Sequence, residues 1–293
     1  MKKCILTSLL IALPALAIQA QETRDWTKAD SAKSVEGKYI SQDSSTVTVE
    51  IRGTSYTLKK SELSTEDQNY LKSVFQQENQ PKKAQFKQHL EPKCKVGKWY
   101  SYLPSSYSST GEKVPVCFIF SAAGKAKKLV DNFKPTANEL GWVLIGIDAY
   151  SNTRVKGKGG AEAITNDCKI IYEKVLQEFN VDPEKVVFSG SSGGGWWSFR
   201  SSRTYAKDTA GIISQGGWMS NEYDYRYPRN MAVAMVNGEK DDGAIQFEKP
   251  DGDFLSKKYR ATIKVFRFNG GHMPSPPKAL VEAARWVHTT KGF

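Results

Sequence analysis

The sequence predicts an α/β domain with a mostly parallel central sheet flanked by helices, preceded by a small β-rich unit. Three observations carry this. Pro115–Ser121 (PVCFIFS), Trp142–Asp148 (WVLIGID) and the shorter Val186–Ser189 (VVFS) are nearly continuous apolar runs, of the kind that strands buried on both faces require. Segments with apolar residues at helical spacing lie between them, which is the alternation of a parallel sheet with crossover helices. Upstream, Ser45–Ile51 and Ser55–Leu58 are alternating, β-branched runs joined by Arg52-Gly53-Thr54, a hairpin signal.

Taken in order, residues 1–20 (MKKCILTSLLIALPALAIQA) read as a signal peptide. Lys2 and Lys3 precede an apolar run, and Ala15-Leu16-Ala17 or Ile18-Gln19-Ala20 offers the cleavage site. The run is too short for a membrane span and holds Pro14, so the expectation is a secreted or periplasmic protein with no transmembrane segment after cleavage. The chain of 293 residues has a formal net charge of +11, which becomes +9 without the two leader lysines. The basic residues are spread out and form no helix interleaved with aromatics, so nucleic acid is not expected as a partner. Three cysteines remain beyond the leader, Cys94, Cys117 and Cys168, too few and odd in number for a disulfide scaffold. Cys117 falls in an apolar strand and Cys168 on the apolar face of a helix, where both read as buried thiols.

Residues 22–75 form the first unit. Val35 to Ile40 supplies a strand before the hairpin, and Leu63-Ser64-Thr65-Glu66-Asp67 opens a capped helix leading to Tyr70-Leu71. Residues 76–96 are rich in Gln, Lys, Glu and Pro, lack apolar periodicity and read as a linker. The α/β domain then spans 97–293. It starts with the strand Lys98–Pro104; a helix broken or kinked near Pro135 follows the PVCFIFS strand. Ile164, Cys168, Ile171, Val175 and Phe179 share a helix face that ends at Asp182-Pro183. Gly211–Ser214, Met231–Val236 and Thr262–Phe268 are further strands, and Pro277 to Val287 is the last helix.

The VVFS strand breaks into Gly190-Ser191-Ser192-Gly193-Gly194-Gly195 and then a helix. Gly190-x-Ser192-x-Gly194 fits a strained strand-to-helix turn that exposes a serine hydroxyl. The helix start directs its free N–H groups at that hydroxyl, which suits a developing oxyanion. A serine nucleophile needs a base, and the chain has three histidines. His89 lies in the linker and His288 at the end of the last helix, whereas His272 sits in a Gly-Gly loop directly after the last strand. The orienting acid belongs between serine and histidine in the chain, where Asp241 and Asp242 follow a strand; Asp241 is preferred. Trp196 and Trp197 follow the turn directly, and Trp218 and Tyr223 lie in the loop after strand 211–214. These aromatics are candidate substrate contacts, with helix packing an equal explanation for one of the paired tryptophans.

Two resemblances add to this reading. Asp25-Trp26-Thr27, the 47–58 hairpin and Leu63-Ser64-x-Glu66-Asp67-Gln68-x-Tyr70-Leu71 resemble the Sla homology domain, which implies an SH3-like β-barrel. Its role is either attachment, through a peptide or cell-surface partner, or structural support. Asn180–Val186, the serine turn, Gly238-x-x-Asp241 and Gly271-His272-Met273-Pro274 resemble the secreted α/β-hydrolase esterases grouped with polyhydroxybutyrate depolymerases and feruloyl or acetylxylan esterases. That resemblance implies cleavage of carboxylic esters, polysaccharide-linked ones included, through an acyl-enzyme without metal or cofactor. It assigns Ser192, Asp241 and His272 as the triad and the Gly193 N–H as one oxyanion donor. The second donor is expected from Ala122 or Ala123, where the family usually has His-Gly and this chain has Ser121-Ala122-Ala123-Gly124. A polyester depolymerase, a serine peptidase of the same fold and a non-catalytic surface-binding protein on this scaffold are the alternatives.

Overall fold

The computed structural model describes residues 23–31, 33–78, 83–205 and 209–293. The expected signal peptide lies outside the described residues. The chain divides into two compact units, one up to Pro81 and one from Lys82.

The first unit is a four-stranded antiparallel sheet in sequential order, β1 (Thr23–Thr27), β2 (Ser34–Gln42), β3 (Thr46–Ile51) and β4 (Thr54–Lys59), followed by a short 3-10 turn and helix α1 (Thr65–Glu78). The hairpin between β3 and β4 turns on Arg52 and Gly53, both with positive φ (49° and 80°), the two-residue geometry whose twist matches flanking strands. Alternation within the strands puts Trp26, Tyr39, Val47 and Val49 on one face, where Leu63, Leu71 and Val74 cover them. The buried Asp67 carboxylate accepts from the Thr27 N–H (2.8 Å), the Ser64 hydroxyl (2.8 Å) and the Arg24 guanidinium (2.7 Å), so the helix start is tied to the end of β1.

The second unit is an eight-stranded sheet flanked by helices. Its strands are β5 (Gln85–Leu90), β6 (Lys98–Leu103), β7 (Val114–Ser121), β8 (Val143–Ile147), β9 (Val181–Ser191), β10 (Thr209–Gln215), β11 (Ala232–Gly238) and β12 (Thr262–Phe268). Their spatial order is β12-β11-β10-β9-β7-β8-β6-β5; β7 to β12 run parallel, and β6 is antiparallel to both neighbours. The helices are α2 (Ala126–Leu140), α3 (Asn152–Val155), α4 (Gly160–Glu178), α5 (Gly193–Thr204), α6 (Asp242–Tyr259) and α7 (Pro277–Lys291). Period-two alternation sorts the buried strand residues between two layers. Val116, Phe118, Phe120 and Phe188 pack with Ile164, Cys168, Ile171 and Val175 of α4. Cys117, Ile119 and Val187 pack with Leu129, Val130 and Phe133 of α2 and Leu280, Ala283 and Val287 of α7. Each large apolar side chain so buried contributes about 1.5–3 kcal/mol. Because the chain goes from β7 outward to β8 and then back across to β9, the carboxyl ends of β7 and β9 border the crevice where such sheets place ligands.

Three expectations need correction. Residues 85–90 are not linker: they form β5, the edge strand beside β6, pairing His89 with Trp99 and Leu90 with Lys98. Helix α2 runs unbroken through Pro135, and Asp182-Pro183 lies within β9, where the register with β7 shifts. His288 does lie in the last turn of α7, as expected; it is half-buried there, and its Nδ1 accepts from Trp142 Nε1 at 3.1 Å.

His89 stacks on the buried Trp99 ring, 3.8 Å between centroids, and its Nε2 is 2.8 Å from Ser101 Oγ. Burial, then the neighbouring Lys87, lowers its pKa from 6.5 to about 4, so the folded protein holds it neutral. The unfolded chain takes up a proton near 6.5 and the folded one does not, so stability falls as pH drops from 6.5 to about 4. Replacing His89 with Gln is expected to flatten that limb of a plot of urea midpoint against pH. An unchanged slope would remove His89 as its cause.

Candidate active site

The site is built at the turn from β9 into α5. Ser192 stands alone between them with φ 56° and ψ −121°, a conformation that costs a non-glycine residue about 1–3 kcal/mol. Its N–H donates to the Gln215 carbonyl of β10 at 2.8 Å, and its carbonyl accepts from Gly195 (2.8 Å) and Trp196 (3.3 Å). The flanking glycines are required by close approach. A methyl group on Gly190 would overlap the Gly194 carbonyl, and one on Gly194 would overlap that of Phe120.

The loop after β12 brings His272 over the turn. Its Nε2 is 2.8 Å from Ser192 Oγ, and its Nδ1 is 2.9 Å from Asp241 Oδ2. Asp241 is 3% exposed and caps α6, its Oδ1 accepting from the Ala244 N–H at 3.2 Å. A carboxylate only accepts, so the proton of neutral His272 sits on Nδ1 and leaves Nε2 to receive the serine proton. Of the two candidate acids, Asp241 meets His272 while Asp242 is exposed in the first turn of α6. His89 and His288 are spent on ring packing elsewhere in the unit.

Gln215 carries a signal that the sequence reading missed. Fully buried at the end of β10, it donates from Nε2 to Ser189 Oγ (3.2 Å) and accepts at Oε1 from the Ser275 N–H (3.3 Å). It thereby links the strand before Ser192 to the loop after His272; its place at the end of a predicted strand beside the turn was the available clue.

The Gly193 N–H opens α5 and has no acceptor among the described residues. Across the crevice, Ala123 donates its N–H to Ser121 Oγ at 3.3 Å, which leaves the Ala122 N–H as the uncommitted one of the two. Two hollows meet at Ser192. One, about 230 Å³, is lined by Ser121, Ala122, Ala123, Leu129, His272 and Met273. The other, about 190 Å³, is walled by Tyr150, Asn152, Lys156, Trp196, Trp218 and Ser220.

Two of the four expected aromatic contacts therefore lie at the site and two do not. Trp196 and Trp218 line the second hollow; Trp218 stacks on Phe247 at 5.1 Å and its ring centroid is 6.4 Å from that of His272. Trp197 is wholly buried against Tyr150, 4.9 Å between centroids, because adjacent helix positions point about 100° apart and its side faces the sheet. Tyr223 is spent on structure: its hydroxyl donates to Asp251 at 2.6 Å, and the same carboxylate accepts from the Met219 N–H at 2.7 Å. Burial raises the pKa of Asp251. No group of three or more His, Cys, Asp or Glu among the described residues is arranged to hold a metal ion. Chemically, the arrangement can pass a serine proton to an imidazole whose charge a buried carboxylate balances, and can offer backbone N–H groups to a developing anion.

No protein-family model and no curated protein matches the sequence. Solved structures match the second unit's fold. An S-formylglutathione hydrolase from Staphylococcus aureus is 12% identical, with a TM-score of 0.53 over 71% of this chain and 95% of that one. Thermogutta terrifontis esterase 2, phosphoramylated by tabun, is 16% identical with a TM-score of 0.52 over 72% and 94%. An S-formylglutathione hydrolase from Agrobacterium tumefaciens is 13% identical with a TM-score of 0.51 over 73% and 98%. The fold is that of the α/β-hydrolases.

Gly216 makes the geometry testable. It has φ 58°, and a methyl group there would lie 3.0 Å from Asp241 Oδ2 and 3.4 Å from His272 Nδ1. Gly216→Ala is expected to slow hydrolysis of p-nitrophenyl acetate by on the order of a hundredfold, since small displacements of aligned groups cost that much. A variant that folds and turns over at the wild-type rate would show that this pair does not govern the reaction.

Proposed function

We propose that this chain is an exported serine hydrolase that cleaves carboxylic esters, carbohydrate-linked ones in particular, through an acyl-enzyme. One observation carries the reading: a strained Ser192, His272 and buried Asp241 stand in one hydrogen-bonded line with separations of 2.8 and 2.9 Å. In this mechanism Ser192 Oγ attacks the ester carbonyl while His272 Nε2 takes its proton. Asp241 stabilises the imidazolium, and the Gly193 and Ala122 N–H groups receive the oxyanion. His272 then returns the proton to the departing alcohol, and water repeats the cycle on the acyl-enzyme. Esterases and S-formylglutathione hydrolases among the structural neighbours support ester hydrolysis as the reaction class.

The carbohydrate preference rests on the second hollow. Its aromatic walls, Trp196 and Trp218, suit the apolar face of a sugar ring, and Asn152, Lys156 and Ser220 offer polar groups at its rim. Export rests on the charged and apolar pattern of residues 1–20. For the first unit we retain an SH3-like module. The segment after β4 supports this by pairing back on the end of β1: Lys28 bridges Leu63, and Ser64 donates to the Thr27 carbonyl at 2.8 Å. Attachment through a peptide or cell-surface partner is the role proposed for it.

Steady-state assays on acetylated and feruloylated sugars, beside plain alkyl p-nitrophenyl esters, test the reading. Wild-type protein is expected to turn over both with a preference for the sugar esters, and Ser192→Ala to lose about 10⁴-fold or more in kcat. Activity that survives Ser192→Ala would overturn the mechanism, and a preference for plain alkyl esters would remove the carbohydrate assignment.

A further inference from the structure

Asn152 belongs to no motif, yet it touches both sides of the proposed oxyanion site. It opens α3 behind Ser151, whose hydroxyl caps that turn by accepting from the Arg154 N–H at 3.1 Å. The Asn152 N–H donates to the Ala122 carbonyl at 2.9 Å, so the loop after β8 holds the loop after β7 in place. Its side chain lies on Gly193: a methyl group there would overlap Asn152 Oδ1. Glycine at the position after the nucleophile is thus explained by the amide that occupies the space.

The orientation of that amide follows from Tyr150. This ring is 1% exposed and held by stacking on Trp197, and its hydroxyl is 2.6 Å from Asn152 Oδ1. Burial raises the phenol's pKa, so it keeps its proton. That proton has no other acceptor among the described residues and goes to Oδ1. The Nδ2 group, with no acceptor among the described residues, is therefore the end of the amide not bound to Tyr150, and Asn152 lines a hollow together with Ser192 and Gly193.

We propose that Asn152 Nδ2 is a third oxyanion donor, held by Tyr150, beside the Gly193 and Ala122 N–H groups. The assignment rests on the ester-hydrolase reading. As the Ser192 Oγ–carbon bond forms, the carbonyl π pair moves onto oxygen and the serine proton moves to His272. The new oxyanion is bound by Gly193, Ala122 and Asn152 until it collapses and expels the alcohol, which takes the proton back from His272. A donor acting on the developing charge lowers kcat when removed and leaves KM nearly unchanged.

The experiment measures kcat and KM for p-nitrophenyl acetate in wild type, Asn152→Ala, Asn152→Asp and Tyr150→Phe, with thermal melting of each. Asn152→Ala is expected to lose about 10²-fold in kcat with little change in KM, the usual effect of deleting one oxyanion donor. Asn152→Asp keeps the shape but replaces donors by a negative charge, and is expected to lose at least as much. Tyr150→Phe frees the amide and is expected to fall between wild type and Asn152→Ala. A folded Asn152→Ala or Asn152→Asp with near-wild-type kcat, or a loss confined to KM, would overturn the assignment. A wild type inert to the ester would instead remove the hydrolase reading, and the assignment with it.

Discussion

The contact on which the site depends is between backbones. At the turn from β9 to α5, the Gly194 carbonyl sits against Gly190, and the Phe120 carbonyl of β7 against Gly194, at distances that leave no room for a Cβ. That approach lets the helix start at the crevice between β7 and β9 and forces Ser192 into positive φ with its hydroxyl exposed. The strain is held by hydrogen bonds the turn cannot lose cheaply, above all from the Ser192 N–H to the Gln215 carbonyl. The same turn leaves the Gly193 N–H without an acceptor among the described residues. The outward Ser192 hydroxyl and the unpaired Gly193 N–H thus follow from one packing constraint.

Around the turn, buried polar groups bring distant segments into register. Gln215 joins Ser189 to Ser275, and Asn237 accepts from the Gly216 N–H at 3.1 Å. Asp251 gathers Met219 and Tyr223 and so shapes the loop that carries Trp218. Such groups cost free energy unless fully hydrogen-bonded, and here each is paired to backbone or side chain. Their effect is to place the His272 and Trp218 loops relative to Ser192 from inside the sheet rather than from the surface.

Much of this was legible in the sequence, for physical reasons. Strands buried on both faces read as unbroken apolar runs, so PVCFIFS, WVLIGID and VVFS declared the sheet. The serine turn was legible because only glycine meets its steric demands, and His272 because three histidines left one placed after a strand. What was hidden depends on contacts between distant segments. QFKQHL carries no apolar pattern because β5 is an edge strand whose partner, β6, gives it its structure. Trp196 and Trp197 are neighbours in sequence and face opposite surroundings, which composition cannot divide. Asn152 is an ordinary helix-opening residue until Tyr150 and Gly193 are seen on either side of it.

The central claim is that Ser192 is a nucleophile activated through His272 by Asp241. Intact-mass spectrometry after exposure to a fluorophosphonate tests it most directly, with peptide mapping to locate the adduct. The account predicts a single phosphonyl adduct on the peptide containing Ser192, formed rapidly by the wild type and lost in His272→Ala although Ser192 is still present. A folded wild type that takes no adduct, or one whose adduct maps to another residue, would contradict it.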